Sequence, residues 1–474
     1  MSFTHGLPYK DSAHIPNSSF HNRIDRFLAT PRYIIAVMLL TLLCNTLSLE
    51  LPVYTLFTAV AVYTLVWGAD VLPLMPIFLC AYIAPSVSNN PGRSETSVFF
   101  GGSGIYLGCL GAAIAVAFFY RIVRDRKQFF KKRKLLPSML ILATAYILGG
   151  LGSEAYAAVA PRHLLFALAQ SGALLIPYFL FCGGIDWKQI PKDYFAWVGF
   201  CLGGVLFGEI LWIYLTAGVV VDGVIYRDNI FTGWGIHNNL GGMLALMIPF
   251  AFYLATKYHK GWLGTVIGSV FLVGVVLSCS RNSILIGFAI YLTCVILMLY
   301  YARNRRGNTI AIIAFIGTVT LILTVFLNPI LHLFSDLLSI GLDPNYRDVT
   351  YAEGMKLFRE NPVFGVSFFS TGFEPWEWST NPNVTDILPP RWHNTIVQIL
   401  ASCGTVGILA YLLHRVQTVL LFLVNHNKEK TFIGCSVAVL LLTSLFDCHF
   451  FNIGPTLFYS MALAFAENYP GKQT

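Results

Sequence analysis

Charge is scarce in this chain: Asp, Glu, Lys and Arg make up 11% of the 474 residues, against 56% hydrophobic residues. A soluble domain carries about 25% charged residues and a disordered one few apolar residues, so both classes are excluded. The ten cysteines (Cys44, Cys80, Cys109, Cys182, Cys201, Cys279, Cys294, Cys403, Cys435, Cys448) lie in or at the ends of apolar runs without paired spacing in the loops. That pattern makes neither a disulfide framework nor a zinc site. No P-loop, dinucleotide fingerprint, metal-binding helix, internal repeat or low-complexity tract occurs, so no cofactor and no metal are expected. Residues 1–32 include His5, Lys10, Asp11 and His14 and lack the apolar core of a signal peptide. They read as a cytoplasmic segment, with Tyr33 opening a true first span.

What is present is apolar sequence in long runs: 33–50, 52–67, 71–88, 98–120, 135–153, 163–182, 194–220, 239–256, 261–279, 282–301, 308–327, 394–413, 431–447 and 453–466. A bilayer span needs about 20 apolar residues, so the chain reads as an all-α polytopic membrane protein of about fourteen transmembrane helices. One large external loop, 328–392, carries short helices. The remaining expected divisions are N-terminal helices over 33–220, core helices over 221–327, C-terminal helices over 393–466 and a cytoplasmic tail, 467–474.

The net charge of +8 comes from basic residues in the loops between apolar runs, which points to the cytoplasmic leaflet rather than to nucleic acid. Arg121, Arg124, Arg126, Lys127, Lys131, Lys132, Arg133 and Lys134 form the densest cluster, and the positive-inside bias puts that loop in the cytoplasm. An alternating path then places 23 of the 31 Lys and Arg residues inside, both termini included. Those left outside are Arg93, Arg162, Arg227, Arg281, Arg347, Lys356, Arg359 and Arg391, nearly all arginine. A guanidinium binds phosphate oxygens bidentately, so an anionic ligand is expected there. Taken singly, an outer arginine could equally cap a helix or pair with Asp348, Glu353 or Glu360.

The outer segment from Asn328 to Trp392 holds seven prolines and, at 65 residues, is long enough to be functional. From Arg347 to Arg359, Val349, Ala352, Met355, Lys356, Leu357 and Phe358 are spaced for a short amphipathic helix. Phe368, Phe369, Phe373, Trp376, Trp378 and Trp392 suit the membrane interface or sugar stacking.

Several polar residues gather on this side. Arg281, in Ser278-Cys279-Ser280-Arg281-Asn282-Ser283, lies at a span boundary with no room for a real loop, a depth at which charge is functional. Arg347 follows Asp343-Pro344-Asn345-Tyr346 at an expected helix N-terminus, where a cation opposes the helix dipole and an anion is welcome. His393 is the general-base candidate. Glu209 interrupts an apolar run and must pair or protonate, orienting an arginine or relaying protons. Tyr226-Arg227-Asp228 and the Thr232–Asn239 stretch form another outer loop, with Asn239 as expected N-cap. Asp447, His449 and Asn452 add polar groups with weaker claims.

Three stretches together resemble the O-antigen ligase and polysaccharide polymerase superfamily of bacterial envelope glycosyltransferases. They are Thr232-Gly233 with Asn238-Asn239 at a helix start, Ser280-Arg281-Asn282-Ser283, and the loop from Arg347 through Glu360-Asn361-Pro362-Val363-Phe364-Gly365 to Trp392-His393-Asn394-Thr395, Gln398 and Gly404-Thr405-Val406-Gly407. The resemblance covers about residues 220–415; Asn282 stands where a glycine is common. It implies an undecaprenyl-diphosphate-linked glycan donor held by outer-face arginines and a histidine that activates an acceptor hydroxyl. Arg281, Arg347 and His393 occupy the matching catalytic positions, and Arg227, Asn238, Asn239, Asn394, Glu209 and Trp392 are the expected substrate-binding residues.

The function so implied is metal-independent, inverting glycosyl transfer on the outer side of the bacterial cytoplasmic membrane. The extra spans favour a polymerase, which joins one lipid-linked glycan to another and has a chain-length regulator as expected partner. A ligase uses the same chemistry on a separate glycan acceptor. A flippase or transporter of lipid-linked glycan is the rival from another class, disfavoured by the missing repeat and by charge gathered at one face.

Overall fold

The computed structural model describes residues 19–47, 49–83, 104–154, 156–188, 190–221, 224–232, 235–301, 305–340, 347–369, 392–424 and 427–469. His5, Lys10, Asp11, His14, Arg93, Gly233, the Asp343-Pro344-Asn345-Tyr346 stretch, Phe373, Trp376, Trp378 and Arg391, named above, lie outside them. Within the described residues the chain is helical, apart from two ladders of two residues per strand: Val220–Val221 with Val224–Ile225 and Phe231–Thr232 with Gly235–Ile236.

Helices are the form these runs must take in an apolar solvent, because each satisfies its own backbone hydrogen bonds. Among the described residues, six helices are long and apolar enough to cross a membrane: Gly104–Arg124, Tyr156–Gly184, Tyr194–Thr216, His237–Lys257, Arg281–Tyr301 and Thr395–Leu423. The chain is therefore an α-helical membrane protein, with six helices meeting that standard where about fourteen spans are expected from sequence. The apolar stretches Pro31–Cys44, Leu51–Val66, Leu136–Ile147, Gly261–Leu277 and Gly307–Ile322 are shorter than the roughly 20 residues a bilayer core requires.

His237–Lys257 is the central helix: its most apolar window is wholly buried, against 11% for peripheral Gly104–Arg124. Close approach of its neighbours depends on small residues, as is usual where helices pack in lipid. A Cβ on Gly199 would come within 2.3 Å of the Phe250 ring, and one on Gly268 within 2.4 Å of Phe252.

Loops gather at two ends. At the basic end, Arg133 reaches Asn468, Glu467 accepts from the Lys134 and Leu135 amides, Lys257 pairs with Asp193, and Tyr301 meets Thr431. At the other end lie the turns around residues 149, 279, 365, 393 and 447. The helix expected to stop at 327 continues as Arg305–Ile340, so the connecting segment begins beyond Ile340. Ile330, Leu331, Phe334, Leu337 and Leu338 keep helical spacing past Pro329, which explains why a single proline does not end it.

Thr395–Leu423 is broken at Gly404, whose φ of 63° and ψ of −155° are not helical. The backbone groups freed there are taken up by the 362–367 segment. Val366 N–H donates to the Ala401 carbonyl, Ser367 N–H to Ser402, Thr405 N–H to Pro362 and Val406 N–H to Val363. Gly365 (φ 68°) and Gly404 cross so closely that a Cβ on either would lie 2.5 Å from the other segment's backbone. The Asn361–Gly365 and Gly404–Gly407 stretches are thus the two halves of one clasp, which docks the loop onto the bundle.

Candidate functional site

The end opposite the basic cluster is organised by the first turns of His237–Lys257. Gly241 and Gly242 leave room on two sides: a Cβ on Gly241 would strike Ser278 Oγ at 2.3 Å and Ser283 Cβ at 2.9 Å, and one on Gly242 would strike His449 Cε1 at 2.3 Å. The turn that carries Arg281 and the turn that carries Asp447 and His449 are therefore both held against the same helix start. Ser280 Oγ donates to Ser283 Oγ at 2.8 Å, and Ser283 Oγ donates to the Asn238 carbonyl at 3.4 Å. Cys279 holds a left-handed φ of 57°, which turns the chain sharply into the Arg281 helix. Arg227 lies near enough to the Cys279 thiol to act on it electrostatically, so it joins the same cluster.

His393 is set by two contacts and its backbone conformation. Tyr351 Oη donates to its carbonyl at 3.2 Å, its own φ is 50°, and its Nδ1 lies 3.5 Å from Asp447 Oδ1. Asp447 Oδ2 is 4.0 Å from His449 Nε2, and Oδ1 accepts from Cys448 N–H at 2.7 Å. Burial works to raise the Asp447 carboxyl, but the contact with His393 and the charges of His449 and His393 outweigh it and hold the group well below the usual carboxylate range. The carboxylate lies between the two imidazoles and orients the one that is a quarter exposed, His393. Sequence reasoning placed Asp447 and His449 on this side without pairing them with His393, since no local signal links residues 54 positions apart.

Arg347 opens the Arg347–Glu360 helix, as its spacing predicts. It lies one helical turn before Tyr351, on the face whose Gly354 packs against Trp392 and Val397. Its Nε is buried without a hydrogen-bond partner, and Arg347 makes no ion pair among the described residues, so pairing with Asp348 does not account for it. Arg281 opens Arg281–Tyr301, and Arg227 opens the short Arg227–Asn229 turn. Arg281 and Arg347 thus each stand at the first residue of a helix, where the helix dipole opposes them.

Other expected site residues have different roles. Trp392 is 2% exposed and packs with Leu357, Val366, Val397 and Ala401, so it fastens the Arg347–Glu360 helix to the bundle rather than meeting a sugar. Gly354 explains this, because the absent side chain lets the indole lie on the helix backbone. Asn394 is the N-cap of Thr395–Leu423: Oδ1 accepts from Ile396 and Val397 N–H, and Nδ2 donates to the Leu445 carbonyl at 2.9 Å. Its polar atoms are committed to structure. Asn239 is buried inside the first turn of a helix that begins at His237, so it is not the N-cap. Glu209 is buried in the middle of Tyr194–Thr216 near the Cys80 thiol. The buried face of Arg347–Glu360 is Gly354 and Leu357 with Tyr351; of the apolar residues expected on it Leu357 is buried, while Val349 and Ala352 face outward.

The arrangement can abstract a proton at His393 and stabilise negative charge at the arginine-led helix starts. No protein-family model matches the chain, and no curated protein matches it in sequence.

Proposed function

We propose that this chain is an inverting membrane glycosyltransferase of the O-antigen polymerase and ligase type. The observation that carries the reading is Arg347: a cation at a helix N-terminus, its Nε buried and unpartnered, one turn from the tyrosine that holds His393. An anion drawn to Arg347 and Arg281 offsets their opposition to the helix dipoles, and Arg227 adds a further guanidinium on the same side.

In the reaction, an acceptor sugar hydroxyl attacks the anomeric carbon of a glycan linked to undecaprenyl diphosphate. Its proton passes to His393, which Asp447 orients. The bond from the anomeric carbon to the diphosphate oxygen breaks, and the arginines receive the charge that grows on the departing lipid diphosphate. Asn238, whose side chain is half-buried at the same helix start, is available to a sugar hydroxyl.

On this reading all fourteen apolar runs cross the bacterial cytoplasmic membrane, with both termini and the basic end in the cytoplasm and the site outside. A second lipid-linked glycan is the favoured acceptor, which makes the protein a polymerase; a separate lipid or protein acceptor would make it a ligase. Purified protein incubated with a lipid-linked oligosaccharide as sole substrate should give a ladder of longer lipid-linked products by mass spectrometry. Extension only after a separate acceptor is added would identify a ligase. Movement of the unchanged donor across proteoliposome membranes, with no new glycosidic bond under any acceptor, would replace the transfer reading with transport.

A further inference from the structure

Arg415 reads from sequence as a residue of a cytoplasmic loop, yet it lies inside Thr395–Leu423 with 8% of its surface exposed. Its guanidinium carbon is 4.0 Å from the centre of the Phe450 ring, 4.4 Å from Tyr411 and 4.9 Å from Tyr459. Nε and both terminal nitrogens are buried, with the Tyr411 and Tyr459 hydroxyls beside them and no carboxylate paired with them among the described residues. A charge so placed is tolerated because the ring faces are its counter-charge, and such contacts strengthen as water is removed.

The rings are themselves held. Tyr459 Oη lies 3.0 Å from His414 Nε2 and 2.9 Å from Thr418 Oγ1, and His414 Nδ1 lies 3.1 Å from Ser138 Oγ. Phe450 is the middle residue of the buried His449–Phe451 turn. Its carbonyl accepts from Gln170 Nε2 at 2.6 Å and from Thr456 Oγ1 at 2.9 Å. Gln170 and Thr456 grip the turn by its backbone, and Arg415 grips it by its side chain. The residue before Phe450 is His449, and the one before Cys448 is Asp447.

We infer that Arg415 is a positioning residue, a clamp that holds the His449–Phe451 turn and thereby sets Asp447 against His393. What the positioned Asp447 accomplishes rests on the transfer reading above; the clamp itself does not.

The test is hydrogen–deuterium exchange by mass spectrometry on the full chain in lipid nanodiscs, comparing wild type with Arg415→Met and Phe450→Leu. Both variants should exchange about tenfold faster over residues 444–452, with the Tyr156–Gly184 and His237–Lys257 helices at wild-type rates. With a lipid-linked donor, both should lose kcat while KM for the donor holds. Wild-type exchange over 444–452 in both variants, or a rise spread evenly over all helices with a lowered melting temperature, would overturn the clamp. Should Arg415→Met fail to fold, Phe450→Leu and Arg415→Lys carry the same comparison, the lysine keeping charge but not the stacked plane. A wild type inert toward every lipid-linked donor would end the transfer reading and leave the exchange measurement to decide the clamp.

Discussion

The two ends of the bundle use arginine in opposite ways. At the basic end, Arg121 donates to the carbonyls of Thr64, Gly68, Ala69 and Gly184, Arg124 to those of Val66 and Gly68, and Arg133 to that of Cys182. These carbonyls lie at the C-terminal ends of helices, where unpaired acceptors and the negative pole of the dipole both favour a cation. At the other end, Arg281 and Arg347 open helices, where both effects disfavour a cation, and Arg227 opens a short turn beside Cys279. The first set is explained by the fold it stabilises. For the second set, the proposed anionic ligand would supply the compensation.

That contrast makes predictions of unequal size. The largest is at the base: His393→Ala should lower turnover by about 10²–10⁴-fold with donor binding retained, measured by product formation beside a donor-binding assay. Full turnover would remove His393 from the chemistry. Arg281→Gln and Arg347→Gln should each cost about 10²–10³-fold in release of lipid diphosphate, and Arg347→Lys should recover little, because a point charge lacks the guanidinium fork.

Arg121→Gln should do the reverse. It removes the buried partner of Asp125 and leaves the Thr64, Ala69 and Gly184 carbonyls without their guanidinium donor, so the protein should lose about 3–5 kcal/mol in denaturant unfolding while turnover per folded molecule holds. A loss of turnover at unchanged stability would erase the distinction between the two ends. A smaller effect is expected at Asp447. Its folded carboxyl sits below its unfolded value, so its stabilising contribution is complete above about pH 4 and is lost only as pH falls through the folded value. Asp447→Asn should therefore be less stable than wild type by about 1–3 kcal/mol at pH 7, with the gap closing only in strong acid; a constant gap across that range would contradict the ion-pair account. The smallest effect belongs to exposed Arg126, where substitution by Gln should change stability by no more than about 0.5 kcal/mol and leave activity alone.

The clasp at Gly404 shows how sequence and structure divide the information. Asn361–Gly365 and Gly404–Gly407 are visible as separate stretches that accompany the resemblance, but their meaning lies in the hydrogen bonds between them. Arg347 at a helix start was legible, because Asp343-Pro344 followed by a helical pattern announces a boundary locally. Trp392 was not, because whether an indole meets solvent or a glycine on another helix depends on how two helices pack. Asn394 shows the same limit: an Asn before an apolar run is a legible cap, and only the Leu445 carbonyl reveals that its amide nitrogen is committed too.

By itself, the amino-acid order determined that this chain is helical, that its solvent is largely lipid, and that its cations divide between two sets of loops. Those follow from run length, composition and charge, which act locally or as sums. Tertiary structure alone decided that Asp447 faces His393, that Arg415 lies in an aromatic cage instead of a loop, and that Glu209 is buried near Cys80. Helices that are apolar on every side carry no stripe to set their rotation. Which polar residue points inward is settled only when small residues such as Gly241 and Gly242 let particular neighbours approach.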